Sequence, residues 1–210
     1  MISDEVKDFP SHFFAALRLC VKNPHPILHD DHSIYELRFD GLFREAKEGS
    51  RAGLMGIGWL LSRGEKLIAH GYGVTARGMD ATSNMAEYLA LIDGLQAILD
   101  MGLEDQPVKV LGDARVIICQ MTGDSRVSTE RQFPVYRRAR KLARKLHIVA
   151  WEWIPRKENK AADLLTRHAL REVTSNEAAF TLAWDRLLRD HARQHKHLYT
   201  LGGMMVLNGR

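Results

Sequence analysis

Four carboxylates stand where chemistry is possible. They are Asp40 in Phe39-Asp40-Gly41, Glu87 in Thr82-Ser83-Asn84-Met85-Ala86-Glu87, Asp113 in Gly112-Asp113-Ala114, and Asp163 in Glu158-Asn159-Lys160-Ala161-Ala162-Asp163. Each also has an ordinary local explanation. Asp40-Gly41 reads as a turn that ends a strand. Glu87 reads as the partner of Asn84 in a helix-capping pair. Asp113 reads as the N-cap of a helix over Ala114–Met121, and Asp163 as one half of an i, i+4 pair with Arg167. Taken together they suggest more. Strand ends and helix starts meet at one edge of an α/β sheet. Carboxylates gathered there repel one another unless divalent cations neutralise them. An oxygen-only donor set selects hard ions, magnesium or manganese. Two such ions ~4 Å apart suit hydrolysis of a phosphodiester.

The elements that must position these groups are legible in the hydrophobic pattern. Tyr35, Leu37 and Phe39 alternate with Glu36 and Arg38, which predicts a first strand over 34–43. The apolar runs Gly53–Leu61 and Lys66–Val74 predict a second and a third strand, with Arg63-Gly64-Glu65 turning between them. The period then changes. Ala86, Leu89, Ala90, Ile92, Leu95, Ile98 and Leu99 predict an amphipathic helix over 84–101, stopped by Gly102. A strand over Pro107–Leu111, a helix over Ala114–Met121 and a helix over 132–146 follow. Next come a fifth strand over Ile148–Ile154 and a helix over 157–172. The order βββαβααβα predicts an α/β fold with a five-stranded mixed sheet flanked by helices.

Outside this block, residues 1–33 read as an N-terminal extension. Its helical stretch Ser11–Val21 is broken by Asn23-Pro24-His25-Pro26. Residues 34–173 read as the catalytic domain and 174–210 as a C-terminal extension. There Thr174-x-x-Glu177 predicts the start of a further helix to about residue 196, and Leu201–Leu207 forms an apolar tail. His25, His29 and His32, and again His191, His195 and His197, cluster without accompanying cysteines or a carboxylate pattern, so a polar surface is expected there before a zinc site.

The chain has 210 residues, 45% hydrophobic and 27% charged, with a formal charge of +4. That balance is ordinary for a soluble globular protein, and its mild basicity is compatible with a nucleic-acid partner. The acidic N-terminus is unlike a secretory signal, and no apolar run is long enough to span a membrane. Cys20 and Cys119, far apart in apolar surroundings, are expected to be buried thiols of a cytoplasmic protein.

Four motifs in this order make the chain similar to the ribonuclease HI family: Asp-Gly in a strand, Thr-x-Asn-x-x-Glu, Gly-Asp and Glu-Asn-x-x-x-Asp. The resemblance covers about residues 34–172. It implies the ribonuclease H fold and hydrolysis of the RNA strand of RNA–DNA hybrids. Asp40, Glu87, Asp113 and Asp163 would be the catalytic residues holding two Mg²⁺ ions, with Mn²⁺ a substitute, and Asp40 would bridge them. It further implies that Thr82 holds a phosphate of the DNA strand, that Asn84 contacts the RNA, and that Gly41 allows close approach of the substrate. Where the family has serine after the third carboxylate, this chain has Ala114. Where it often has paired asparagines it has Ser83 and Asn84, and where many members have glutamine it has Arg115. The loop Trp153–Asn159 lacks the histidine of the best-studied bacterial type and looks like the shorter loops of archaeal and some bacterial relatives.

One further feature points to a duplex. In Val135–Leu146, Val135, Ala139, Leu142 and Leu146 form an inward stripe. Arg137, Arg138, Arg140, Lys141, Arg144 and Lys145 crowd the other side, with no acid to pair them. Arg137, Arg140, Lys141 and Arg144 are expected to meet the phosphate backbone. A nuclease of the same fold acting on DNA is the nearest alternative. Its exonuclease branch usually shows Asp-x-Glu in the first strand, and Asp40-Gly41-Leu42 lacks the Glu. A non-catalytic binding protein on this fold is the other alternative, and it would gain nothing from four mutually repelling carboxylates. No membrane partner is expected.

Overall fold

The computed structural model describes residues 34–45, 53–77 and 82–175. The helix expected over Ser11–Val21, the six clustered histidines, Cys20, residues 46–52, Glu177 and Leu201–Leu207 lie outside these residues.

Eleven residues, Tyr35–Glu45, form β1, which runs straight through Asp40-Gly41. The turn expected at Asp-Gly is therefore absent. The strand continues because β2 (Gly53–Arg63) pairs with it along its full length, Asp40 opposite Gly58 and Gly41 opposite Ile57. β3 (Lys66–Arg77) follows a two-residue turn in which Gly64 takes φ +57°, a conformation glycine adopts without cost. β4 (Val108–Gly112) and β5 (Ile148–Trp153) complete a sheet of order β3-β2-β1-β4-β5. β1, β4 and β5 are parallel to one another, and β2 and β3 are antiparallel.

Helix α1 (Ser83–Asp100) covers one face of the sheet. Twelve of its residues are buried because it also packs under α3 (Phe133–Ala143), so its apolar surface is wider than a single stripe. Leu37, Phe39, Ile57, Trp59 and Tyr88 fill this core. Each such side chain contributes roughly 1.5–3 kcal/mol when fully buried. Helix α2 (Arg115–Thr122) follows β4 and ends at Gly123, with φ +95°.

Helix α4 (Lys160–Ser175) covers the opposite face, packing Ala162, Leu165, Ala169 and Leu170 with Leu60, Tyr72 and Val74. It begins three residues later than expected, because Arg156–Glu158 form a separate 3₁₀ turn. It also runs on through Thr174, whose hydroxyl donates to the Leu170 carbonyl inside the helix, so Thr174 does not act as an N-cap; the rest of the helix expected over 174–196 lies outside the described residues. β2 shows no alternation because it is covered on both faces, by α1 and by α4. The close approach of α4 depends on Gly58: a Cβ there would lie 2.9 Å from the Ala162 carbonyl oxygen and from the Thr166 nitrogen. Cys119 is half-buried, not buried as expected. No helix among the described residues is long and apolar enough to cross a membrane.

Candidate active site

The parallel strands β1 and β4 bring Asp40 and Asp113 to neighbouring positions, since Phe39 pairs with Gly112. Glu87 reaches them from the second turn of α1. Oxygens of these three carboxylates lie within 4.8 Å of one another. Asp40 and Glu87 are buried.

The local roles available to Glu87 and Asp113 are not the ones they take. Thr82, not Asn84, caps α1: its Oγ1 accepts from the Met85 N–H at 3.1 Å. Glu87 is left free to reach β1, where Oε2 accepts from the Gly41 N–H at 3.1 Å. That approach explains Gly41. A Cβ there would sit 2.6 Å from the Ala86 carbonyl oxygen, and closer still to the Ala86 carbonyl carbon and the Glu87 nitrogen. The side of Gly41 toward which a Cβ would point is thus filled by the α1 backbone. Asp113 does not cap α2; Ala114 occupies that position without a side-chain bond. Instead Asn159 Nδ2 donates to Asp113 Oδ1 at 2.6 Å and to the Phe39 carbonyl at 2.8 Å. Trp153 Nε1 donates to the Asp113 main-chain oxygen at 3.0 Å.

Asp163 stands beside this trio but has its own partners. Arg167 Nε donates to Oδ2 at 2.6 Å, the i, i+4 pair expected from sequence, and Arg156 Nη2 donates to Oδ1 at 2.9 Å. Three of the four carboxylates thus share one cluster, and the fourth is neutralised by two arginines.

The electrostatics follow. Burial pushes the Asp40 carboxyl up to about 7, with the charges of Asp113 and Asp163 adding to it and the Thr166 hydroxyl and Arg156 opposing. Burial also pushes Glu87 well above its ordinary value, reinforced by Asp40 and Asp113 and opposed by the Gly41 N–H bond. At Asp163 burial acts upward too, but the hydrogen bonds and charges of Arg167 and Arg156 outweigh it and hold the group below its usual range. A cluster made only of oxygen donors, in which Asp40 and Glu87 resist ionisation, is the donor set a hard divalent cation fits. Asp40, Glu87 and Asp113 could hold such an ion, with Asp163 adjacent.

The other expected contacts fall at the rim. Thr82 and Ser83 are exposed and Asn84 is half-buried at the start of α1, two turns or less from Glu87. Arg115 is exposed on the first turn of α2, its guanidinium 5.9 Å from the Trp153 ring centroid. α3 ends at Ala143, short of the expected 146; Val135, Ala139 and Leu142 on it, and Leu146 just past it, are buried as expected. Arg137, Lys141 and Arg144 are exposed. Arg140 differs: it is half-buried and donates to the Met121 carbonyl at 2.8 Å, tying α3 to α2.

Asn159, Arg156 and Thr166 carry no role in the sequence-based expectations. Thr166 is fully buried, with Oγ1 2.9 Å from Asp40 Oδ2. A signal was available in part. Asn159 and Thr166 lie four residues before and three after Asp163, on the same side of a helical wheel.

Comparison with known proteins agrees with this architecture. Residues 38–169 match the family described as Reverse transcriptase-like. The ribonuclease HI of Halobacterium salinarum is 34% identical over 143 residues, which is 64% of this chain and 63% of that protein. The crystal structure of ribonuclease H1 from the same archaeon superposes with a TM-score of 0.55 at 31% identity, covering 66% of this chain and 98% of that one. The bifunctional protein Rv2228c of Mycobacterium tuberculosis is 33% identical over 99 residues, 47% of this chain and 27% of that protein. LC11 ribonuclease H1, solved in complex with an RNA/DNA hybrid, superposes with a TM-score of 0.57 at 26% identity, covering 67% of this chain and 99% of that one. This chain thus spans less than two thirds of the length of these two curated relatives. The family match over residues 38–169 and the 31% identical ribonuclease H1 structure, of which 98% is covered, agree, and the chain belongs to the type 1 ribonuclease H family.

Proposed function

We propose that the chain is an endonuclease that hydrolyses the RNA strand of RNA–DNA hybrids, leaving 5′-phosphate and 3′-hydroxyl ends. The observation that carries this reading is the trio Asp40, Glu87 and Asp113, two buried and one half-buried, whose oxygens crowd within 4.8 Å. Such a cluster costs stability when ionised and has a use only when cations occupy it. The hybrid bound to LC11 ribonuclease H1 supports the choice of substrate.

In the reaction, water adds to phosphorus and loses a proton. The bond from phosphorus to the 3′ oxygen breaks, and that oxygen takes up a proton. Divalent cations, two Mg²⁺ or Mn²⁺ in this reading, supply Lewis acidity that activates water and neutralises phosphate charge. The chain's own residues arrange the rest. Asp40, Glu87, Asp113 and Asp163 would hold the ions. The Gly41 N–H orients Glu87, and Asn159 fixes the direction of Asp113. Arg156 is 64% exposed, so its ion pair with Asp163 is a weak surface pair that phosphate or cation can displace. Thr82, Ser83, Asn84 and Arg115 line the rim on which the sugar-phosphate backbone would rest. Discrimination of RNA from DNA then depends on the 2′-hydroxyl.

The test uses hybrids of varied sequence with Mg²⁺ or EDTA, the same hybrids with four consecutive 2′-deoxy nucleotides in the RNA strand, and matched DNA duplexes. Cleavage is expected across all hybrid sequences, lost within the deoxy patch and abolished by EDTA. Equal cutting of the DNA duplexes would assign the chain to DNA, and binding without cleavage would make it a binding protein.

A further inference from the structure

Helix α4 does more than cover the sheet. Its Thr166 is completely buried, and its one hydroxyl oxygen sits between two acceptors. Asp40 Oδ2 lies 2.9 Å away, and the main-chain oxygen of Asp163 lies 2.7 Å away. A hydroxyl has a single proton to donate. Within a helix a threonine usually spends it on a carbonyl of the preceding turn. Here the competing acceptor is a carboxylate, and charge-assisted bonds are roughly twice as strong as neutral ones. When Asp40 is ionised the proton therefore goes to Asp40.

That bond has a geometric consequence. A carboxylate is planar, so holding Oδ2 also sets the direction of Oδ1 and limits rotation about the bond from Cβ to Cγ. The side chain whose plane is held belongs to the carboxylate cluster of Asp40, Glu87 and Asp113. Thr166 and Asp163 lie three residues apart on one side of α4, so the same bond fixes the helix bearing Asp163 against β1. The contact exists because Gly58 on β2 lets the α4 backbone approach so closely.

We infer that Thr166 is a positioning residue for cation binding: its hydroxyl holds the Asp40 carboxylate in the orientation that the cation site requires. This inference rests on the proposed nuclease reading and deepens it.

The experiment compares the full chain with Thr166→Val, which keeps the size and removes the hydroxyl, Thr166→Ala, and Thr166→Ser, which keeps the hydroxyl. Mn²⁺ binding without nucleic acid is measured from the electron paramagnetic resonance signal of free Mn²⁺. Tm and the kcat and KM for hybrid cleavage are measured alongside. The Val and Ala variants are expected to lose roughly 10- to 100-fold in Mn²⁺ affinity and in kcat, while KM for the hybrid stays within about twofold. The Ser variant is expected to stay near wild type in all three. A folded Val or Ala variant with wild-type Mn²⁺ affinity overturns the inference, as does a folded Ser variant that loses it. Unfolding of both Val and Ala variants makes Thr166 a structural residue and overturns it too, as does a wild-type chain that binds no Mn²⁺. A wild-type chain that binds Mn²⁺ and cleaves no hybrid defeats the nuclease reading alone, and the Mn²⁺ measurements still decide the role of Thr166.

Discussion

Asn159 Nδ2 bonds Asp113 Oδ1 at 2.6 Å while also donating to the Phe39 carbonyl at 2.8 Å, so one side-chain amide links β1, β4 and the start of α4. Asn159 is fully buried. Its amide satisfies a strand carbonyl and aims a carboxylate with the same nitrogen.

Asn159→Ala is therefore expected to act on two measurements at once. Leaving the Phe39 carbonyl and the Asp113 carboxylate without this donor should cost about 1–3 kcal/mol in denaturant unfolding. Hybrid cleavage should fall by roughly 10- to 100-fold, as when an orienting partner of a metal ligand is removed. A variant as stable and as active as wild type would show the bond to be incidental.

Gly41→Ala tests the packing of α1 on β1. The added methyl meets backbone, not a flexible side chain, at Ala86 and Glu87. The helix must move away, and Glu87 loses the Gly41 N–H. Overpacking of this kind costs typically ~1–3 kcal/mol. Both Tm and cleavage should fall, and a methyl tolerated without change in either would mean that α1 sits further from the strand.

The pH dependence of stability follows from the raised carboxyls. Asp40 ionises near 3.8 when unfolded and near 7 when folded, so the folded chain binds more protons between those values. The stabilisation is complete below about pH 4 and is lost as pH rises to about 7. Glu87 acts in the same direction. Asp163 acts oppositely, but its contribution disappears only as pH falls below its ordinary value of 3.8. In EDTA the chain should be more stable at pH 5 than at pH 8, by about 2–3 kcal/mol. Mg²⁺ should narrow the gap by stabilising the ionised cluster at pH 8. Asp40→Asn should reduce the pH effect to the part that Glu87 contributes, remain folded and lose more than about a hundredfold in cleavage, beyond what loss of an orienting partner causes. Equal melting temperatures at the two pH values in EDTA would contradict this account.

The basic face of α3 should serve affinity. Replacing Arg137, Lys141 and Arg144 with Gln is expected to raise KM and leave kcat nearly unchanged. It should also make the dependence of log K on log salt shallower by about 0.9 for each phosphate that is no longer neutralised. Arg140→Gln belongs in a separate experiment. It removes the bond to the Met121 carbonyl, and about 1 kcal/mol of stability should go with it. An unaltered salt slope in the triple variant would leave that face as solvated surface.

Much of this fold can be read from local pattern. The alternation from Tyr35 to Phe39, the helical spacing from Ala86 to Ile98 and the inward stripe of α3 each record burial on one side of a regular element, and periodicity reports that directly. The i, i+4 pairing of Asp163 with Arg167 is likewise a local matter. The order of the four acidic motifs was enough to name the family, but not to say how their side chains are held. Whether Asp40-Gly41 turned or continued depended on β2 lying alongside it and α1 covering it. Whether Glu87 capped its own helix or crossed to β1 depended on Thr82 taking the cap. Thr166 meets Asp40 across 126 residues of chain, and only because Gly58 admits α4 to the sheet. Contacts of this kind leave no period in the sequence. They exist only after three elements have packed, because hydrogen bonds short enough to aim a carboxylate require backbones brought together by the core.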